Sequence, residues 1–401
     1  LAVAYYAGVS GLNMRMCSFQ CSMADAVEKA AKENADRCHR GEPNIEDQIR
    51  AILELIGGLR ILAKGEGEGE SDKFLPESLV SRLLGEWETA LDGVLSEFLK
   101  RVIKAEQEIR AIVESDSHEG KLALYLLGSF LLTFASRAAS RERLHIFTTN
   151  YDRLIEYGCD LLGLRLLDRF VGQLSPVFRS SRLGIDLHYN PPGIRGEPRY
   201  LEGVVRLTKL HGSIDWRREL GPQGYYEIRR YGIPFGASEA DRLLPVRPGE
   251  NVIIYPNPAK DVETLEYPYA DLFRDFAAAI CQPNTVVATY GYGFGDEHIN
   301  RIIRDMLTIP STHLVVISFD DAGGRVRVFC EAVGHREQIT LLIGNHFGDL
   351  GELVEHYLPK PAIDRNTLRM VELLNRRTPH KGENDDGEQK KGYIGAPFEE
   401  V

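Results

Sequence analysis

Asn150, Asp152 and His211 are the residues whose types and positions could do chemistry together. Asn150 and Asp152 stand just beyond 144–149, a short β-branched and aromatic run of the kind that forms a buried strand. His211 stands in K-L-H-G-S-I-D-W, where a second strand pattern, read over 204–216, ends at His211-Gly212. A carboxamide cannot act as a base, but it can hold a water or a hydroxyl in place. An imidazole, with an ordinary pKa near ~6.5, accepts a proton at neutral pH. In an open α/β sheet, ligands bind beyond the carboxyl ends of the strands, where these side chains fall. Plainer roles are open for each: a turn residue at Asn150, a helix cap at Asp152, a packed or capping ring at His211.

The elements that must position them alternate in a regular way. The first residues read as a strand running into the turn Ala7-Gly8-Val9-Ser10. From about Cys17 to Ser140 the pattern is helical, with Ile45, Ile49, Ile52 and Leu53 at helical spacing, and likewise Leu91, Leu95, Phe98 and Val102. The strongly apolar stretch 121–136 reads as a helix buried on most sides, and the acidic, glycine-rich 65–73 as a loop. The stretch 164–205 reads as irregular loops. Strand and helix then alternate: strands over 285–290, 313–319 and 338–343, helices from Asp296, over 325–333 and over 347–358. This pattern implies a doubly wound, Rossmann-like parallel α/β sheet, with a large helical insertion or cap between its first and second strands. The divisions are 1–16 for the first strand and glycine turn, 17–140 for the helical block, 141–360 for the rest of the sheet domain, and 361–401 for a polar, charged tail.

Small or polar residues recur at the strand ends: 7–10, 149–152, 211–213, 291–295 and 318–320. Such ends along one sheet suggest a dinucleotide lying across its edge. Ala7, Gly8 and Ser10 would offer backbone N–H groups to a phosphate, and Gly291 and Gly293 would let the backbone approach a ribose or phosphate. Ser318, Asp320 and Phe347 are candidates for the adenosine end, with loop structure as the alternative for each. Gly291-x-Gly293-x-Gly295 lacks the spacing of the dehydrogenase fingerprint and comes late in the chain, so hydride transfer fits poorly. Phe294 reads as packing, and His298 as a surface or capping histidine.

Composition sets outer bounds. The net charge of −11 argues against a broad electrostatic grip on nucleic acid, leaving contact through a partner or a local patch. No apolar run is long enough to span a membrane, and no secretory signal opens the sequence. The scattered cysteines suit reduced thiols in a cytoplasm. Cys17, Cys21, Cys38 and His39 have no standard zinc spacing, so no metal site is expected there.

The motifs A-G-V-S (7–10), T-T-N-Y-D (148–152), K-L-H-G-S (209–213) and G-Y-G-F (291–294) come in the order of the sirtuin signature motifs. In their specific forms T-T-N-Y-D, K-L-H-G-S-x-D-W and G-Y-G-F-G-D-E-H-I-N, they resemble the prokaryotic sirtuin-like branch of anti-phage defence systems. Two departures stand out. Tyr6 occupies the place where the family's turn usually opens with glycine. Only Cys281 lies between His211 and Gly291, where the deacylases of the superfamily carry a four-cysteine zinc module, so no zinc is expected. The resemblance therefore implies NAD as substrate, cleaved at the nicotinamide–ribose bond, with Asn150 and His211 catalytic and Asp152 on the nicotinamide amide. It further implies a cytoplasmic defence effector, activated by self-assembly into a homo-oligomer or by a separately encoded partner such as a HerA-type ATPase. Competing expectations are ADP-ribosyl transfer or cyclisation, a nuclease effector, and a non-catalytic NAD or nucleotide sensor and assembly scaffold.

Overall fold

The computed structural model describes residues 15–18, 21–37, 42–63, 75–115, 117–136, 143–181, 185–189, 199–238, 251–253 and 267–360. The expectations for Tyr6, Ala7, Gly8, Ser10, Cys38, His39, the loop 65–73 and the tail 361–401 lie outside these residues.

A helical block comes first: α1 (Ala24–Arg37), α2 (Ile45–Ala63), α3 (Glu77–Glu114) and α4 (His118–Ala135). In α2 the residues Ile45, Ile49, Ile52, Ile56 and Leu59 recur at helical spacing, and all are buried. They meet Val94, Leu95, Phe98 and Val102 of α3, which is 38 residues long and so reaches about 57 Å. Ser117 caps α4 by accepting a bond from the Gly120 N–H at 3.0 Å. This helix is not buried on most sides. Ala123, Leu127 and Leu131 face inward, while Leu122, Leu124 and Tyr125 are exposed, because only one face meets neighbouring elements.

The sheet region follows: β1 (Leu144–Thr148), α5 (Leu154–Leu161), β2 (Arg165–Leu167), β3 (Phe170–Val171), β4 (Val177–Phe178), β5 (His188–Tyr189), β6 (Arg199–Tyr200), β7 (Val204–Lys209), β8 (Gly212–Leu220), β9 (Tyr226–Arg230) and β10 (Asn251–Ile253). Then come α6 (Tyr269–Ile280), β11 (Val286–Tyr290), α7 (Glu297–Leu307), β12 (His313–Ser318), α8 (Arg325–Val333) and β13 (Ile339–Ile343). All pairings in β1–β7–β2 and in β11–β12–β13 are parallel, as the strand–helix alternation requires. Among the described residues the parallel strands fall into these two sheets. The architecture is a mixed, Rossmann-like α/β fold.

Two local readings change. The stretch 164–205 is not merely irregular: it contributes short strands to both a parallel and an antiparallel sheet, the latter ordered β10–β8–β9–β4–β3. Strands of two or three residues carry too little alternation to be recognised from pattern. Second, the strand pattern over 204–216 ends at His211-Gly212 as expected, but a new strand follows at once: Gly212 adopts a left-handed backbone, φ 84°. β7 ends in the parallel sheet, β8 starts in the antiparallel one, and His211 occupies the corner.

Apolar packing joins the pieces. Trp216, Phe170 and Phe178 of the antiparallel sheet share a core with Phe273, Phe276, Ile303 and Leu314. Ile214, Ile233 and Ala237 are buried in the core of the helical block. No helix among the described residues is long and apolar enough to cross a membrane.

Candidate active site

The loop after β1 is held from three directions. Thr148 lies opposite Lys209 in the parallel pairing, so the carboxyl ends of β1 and β7 are neighbours. The Leu210 N–H donates to the Thr148 carbonyl at 2.8 Å, and the Ile214 N–H to the Tyr151 carbonyl at 3.2 Å. The buried Lys209 ammonium donates to the Asp152 carbonyl and to Glu156 Oε1, the latter at 3.0 Å. From the helical block, Glu106 accepts from the Arg153 backbone N–H at 2.9 Å and from its guanidinium at 2.6 Å, with both side chains buried. The Phe98 ring of α3 meets Tyr151 edge-on at 5.6 Å. Thr148 Oγ1 accepts the Asn150 N–H at 3.1 Å. Asp152 Oδ1 accepts the Leu154 N–H at 3.0 Å, so one of its oxygens serves the start of α5.

His211 is 2 % exposed. Its ring lies 6.5 Å from that of Tyr151 and 6.5 Å from that of Phe273 on α6. Its Nε2 is 3.2 Å from Nε2 of His298. The reading of His298 as a surface or capping residue is thus overturned. It is buried in the first turn of α7, with Phe273 edge-on at 4.9 Å. Helical spacing could not reveal this, because its partner lies 87 residues away in sequence. Asp296, at the N-cap position of α7, completes a group with His211 and His298 in which one potential ligand atom from each lies within 4.8 Å of the others.

The contact between the histidines brings the glycine turn to the same place. Gly291 has φ 64°, and nothing lies within 4 Å of where its Cβ would be. Its N–H donates to the Ile317 carbonyl at 3.1 Å, tying the ends of β11 and β12 together. The Gly293 carbonyl accepts from Arg325 Nε at 2.6 Å. Phe294, buried against Tyr292 and Phe329, is packing as expected. Asn300 fixes the turn, accepting from the Tyr292 hydroxyl at 2.8 Å and donating to the Phe294 carbonyl at 3.0 Å.

The candidates for the adenosine end are engaged in local structure. Ser318 Oγ donates to the Asp320 carbonyl at 2.8 Å, and Asp320 Oδ1 accepts the Ala322 N–H at 2.8 Å. Phe347 packs on His346 and Tyr357, with ring centroids 4.5 and 4.7 Å away. Asn150, His211, Gly291 and Gly293 are thus linked through direct contacts of their segments, while Ser318, Asp320 and Phe347 lie along the ends of β12 and β13.

A cavity of about 400 Å³ lies elsewhere, between the parallel sheet, α6 and the antiparallel sheet. Asn150 and His211 do not line it. Its cations are each held by a carboxylate: Arg143 and Arg206 by Asp186, Arg169 by Asp275, Arg230 by Asp168 and Lys209 by Glu156. His145 on its wall donates to or accepts from Thr208 Oγ1 at 2.8 Å, and burial pushes its pKa down to about 3.

Sequence reasoning found the strand ends, but missed His298, the Arg325 contact and the Glu106–Arg153 clamp. All depend on partners remote in sequence, which no local spacing encodes. Residues 144–336 match the family model described as a SIR2-like domain. No curated protein matches the chain. The match supports a sirtuin-like family and is compatible with NAD-related activity. It spans the β1 loop, the His211 corner, the glycine turn and α8, and it excludes the helical block.

Proposed function

We propose that the chain is an NAD glycohydrolase, cleaving the nicotinamide–ribose bond to give ADP-ribose and nicotinamide. The observation that supports this reading is the pairing of the β1 and β7 carboxyl ends, Thr148 opposite Lys209, which sets the segments that carry Asn150 and His211 side by side. The match to a SIR2-like domain supports NAD as the substrate.

The chemistry asks little of the protein beyond placement and one proton transfer. The glycosidic bond breaks with its electron pair going to the pyridinium nitrogen, so nicotinamide leaves neutral and the ribose becomes oxocarbenium-like. The Asn150 carboxamide holds the water or the ribose hydroxyls in attack geometry. As the water oxygen bonds to the anomeric carbon, His211 accepts a proton, later released to solvent. Tyr151 and Phe273 wall the imidazole, and the burial of His211 keeps bulk water from it. In this reading the ribose or phosphates approach the backbone at Gly291, where nothing lies within 4 Å of a Cβ position, and at Gly293 beside Arg325.

In the cell, this reading makes the protein a cytoplasmic defence effector that depletes NAD. The sequence motifs support activation by self-assembly or by a HerA-type ATPase partner. The test is nicotinamide release from NAD by the full-length protein, alone and with its genomic neighbour's product, resolved by chromatography. Asn150→Ala and His211→Ala should each lower turnover by at least about 10²-fold. Unchanged turnover in either variant refutes the assignment, and cyclic or protein-linked ADP-ribose as the main product replaces hydrolysis with transfer.

A further inference from the structure

We propose that His298 is a positioning residue for His211: the imidazoles share one proton in an Nε2···Nε2 hydrogen bond that fixes the ring and the tautomer of His211. The inference rests on the glycohydrolase reading for its catalytic consequence, and on geometry alone for the pair itself.

The Nε2 atoms are 3.2 Å apart and the ring centroids 5.4 Å apart. The two ring radii account for nearly all of the difference, so the rings meet tip to tip along one line. That is the geometry of a linear N–H···N bond. An ion held by both nitrogens would sit off that line, with the rings angled toward it. One ring must donate and the other accept, so the contact couples the two tautomers: only one of the two Nε2 atoms carries the shared proton.

The pair is built rather than incidental. His298 is 5 % exposed and sits on the first turn of α7, whose buried Ile299, Ile303 and Met306 hold that helix against the core. Phe273 of α6 contacts both rings and so restricts their rotation. His211 stands at a corner between two sheets, where the backbone alone would leave its ring direction loosely defined. When His211 takes a proton from water, the same bond lets the charge spread to His298 before the proton leaves. The water O–H bond breaks as the N–H bond at His211 Nδ1 forms, and between the two Nε2 atoms only N–H bonds are exchanged.

The test uses the full-length protein with His298→Gln, whose amide can still hydrogen-bond at the side-chain tip, and His298→Phe, which cannot. His298→Phe should lower kcat by about 10–100-fold with KM for NAD within about 2-fold, and His298→Gln should restore part of the loss. Thermal unfolding of both variants checks that the fold persists. Nitrogen NMR of labelled histidines gives a readout independent of turnover: the His211 signals, assigned by their loss in His211→Ala, should lose their single fixed tautomer in His298→Phe. An unchanged His211 tautomer in His298→Phe overturns the proposal, and so does an equal kcat loss in both variants. Stoichiometric zinc in the purified protein, lost in both His211→Ala and His298→Phe, would also overturn it, since the side chains would then be serving an ion. If the wild type releases no nicotinamide, the glycohydrolase reading fails, while the NMR arm still decides the pair.

Discussion

His145 and His211 lie at opposite ends of neighbouring parallel strands, and their surroundings give them opposite characters. His145 stacks on Phe147 with centroids 3.8 Å apart and hydrogen-bonds Thr208, and burial holds it neutral down to about pH 3. In the unfolded chain the same ring takes up its proton near ~6.5. Between these values the unfolded state binds the extra proton, so stability is full above about pH 6.5 and falls as the pH drops toward about 3. From about pH 7 to about pH 5 the loss from this group alone should be about 2 kcal/mol. Replacing His145 with Asn should remove that acid-dependent component, read from urea midpoints at the two pH values. An identical pH dependence in wild type and variant would contradict the assignment.

At the scale of elements, the loop after β1 depends on a helix far earlier in the chain. Glu106 and Arg153 are 0 % and 7 % exposed at their side chains. Burial raises the Glu106 pKa, and Arg153 works against that rise. Glu106→Gln removes the carboxylate that acts most strongly on the guanidinium, leaving the weaker influence of Asp215 and Glu156, so it should destabilise the protein by about 3 kcal/mol. It should also loosen the Asn150 loop, with turnover falling more than NAD binding. A loss below about 1 kcal/mol in chemical denaturation would show that the pair is not a clamp. None of this was legible in the sequence. The ends of β1 and β11 were, because a β-branched run stopping at Asn150 or at Gly291 is a local signal. The end at His211-Gly212 was too, but the second strand that starts there was not, because its apolar residues Ile214 and Trp216 read as a continuation of the first. The antiparallel sheet was hidden for a similar reason: its shortest strands, Phe170–Val171 and Val177–Phe178, are defined by their partners rather than by their own alternation.

Across the whole molecule, the helical block and the sheet region complete one another. Ile214, Ile233 and Ala237 are buried among Ile49, Val94 and Phe98 of the block, and Leu154 and Cys159 among Ala123, Leu127 and Leu131. A chain starting at residue 141 would therefore expose two apolar faces and should show no cooperative thermal transition. A sharp transition in that truncated chain would mean that the two parts fold independently. The block lies outside the residues that match the family model.

The carboxylate of Glu106 grips both the main chain and the side chain of Arg153, just past Asn150 and Asp152. It projects from a helix of 38 residues whose far end is remote from that grip. Any sliding of that helix moves the Glu106 carboxylate, so the loop after β1 and the helical block cannot shift past one another without breaking this grip.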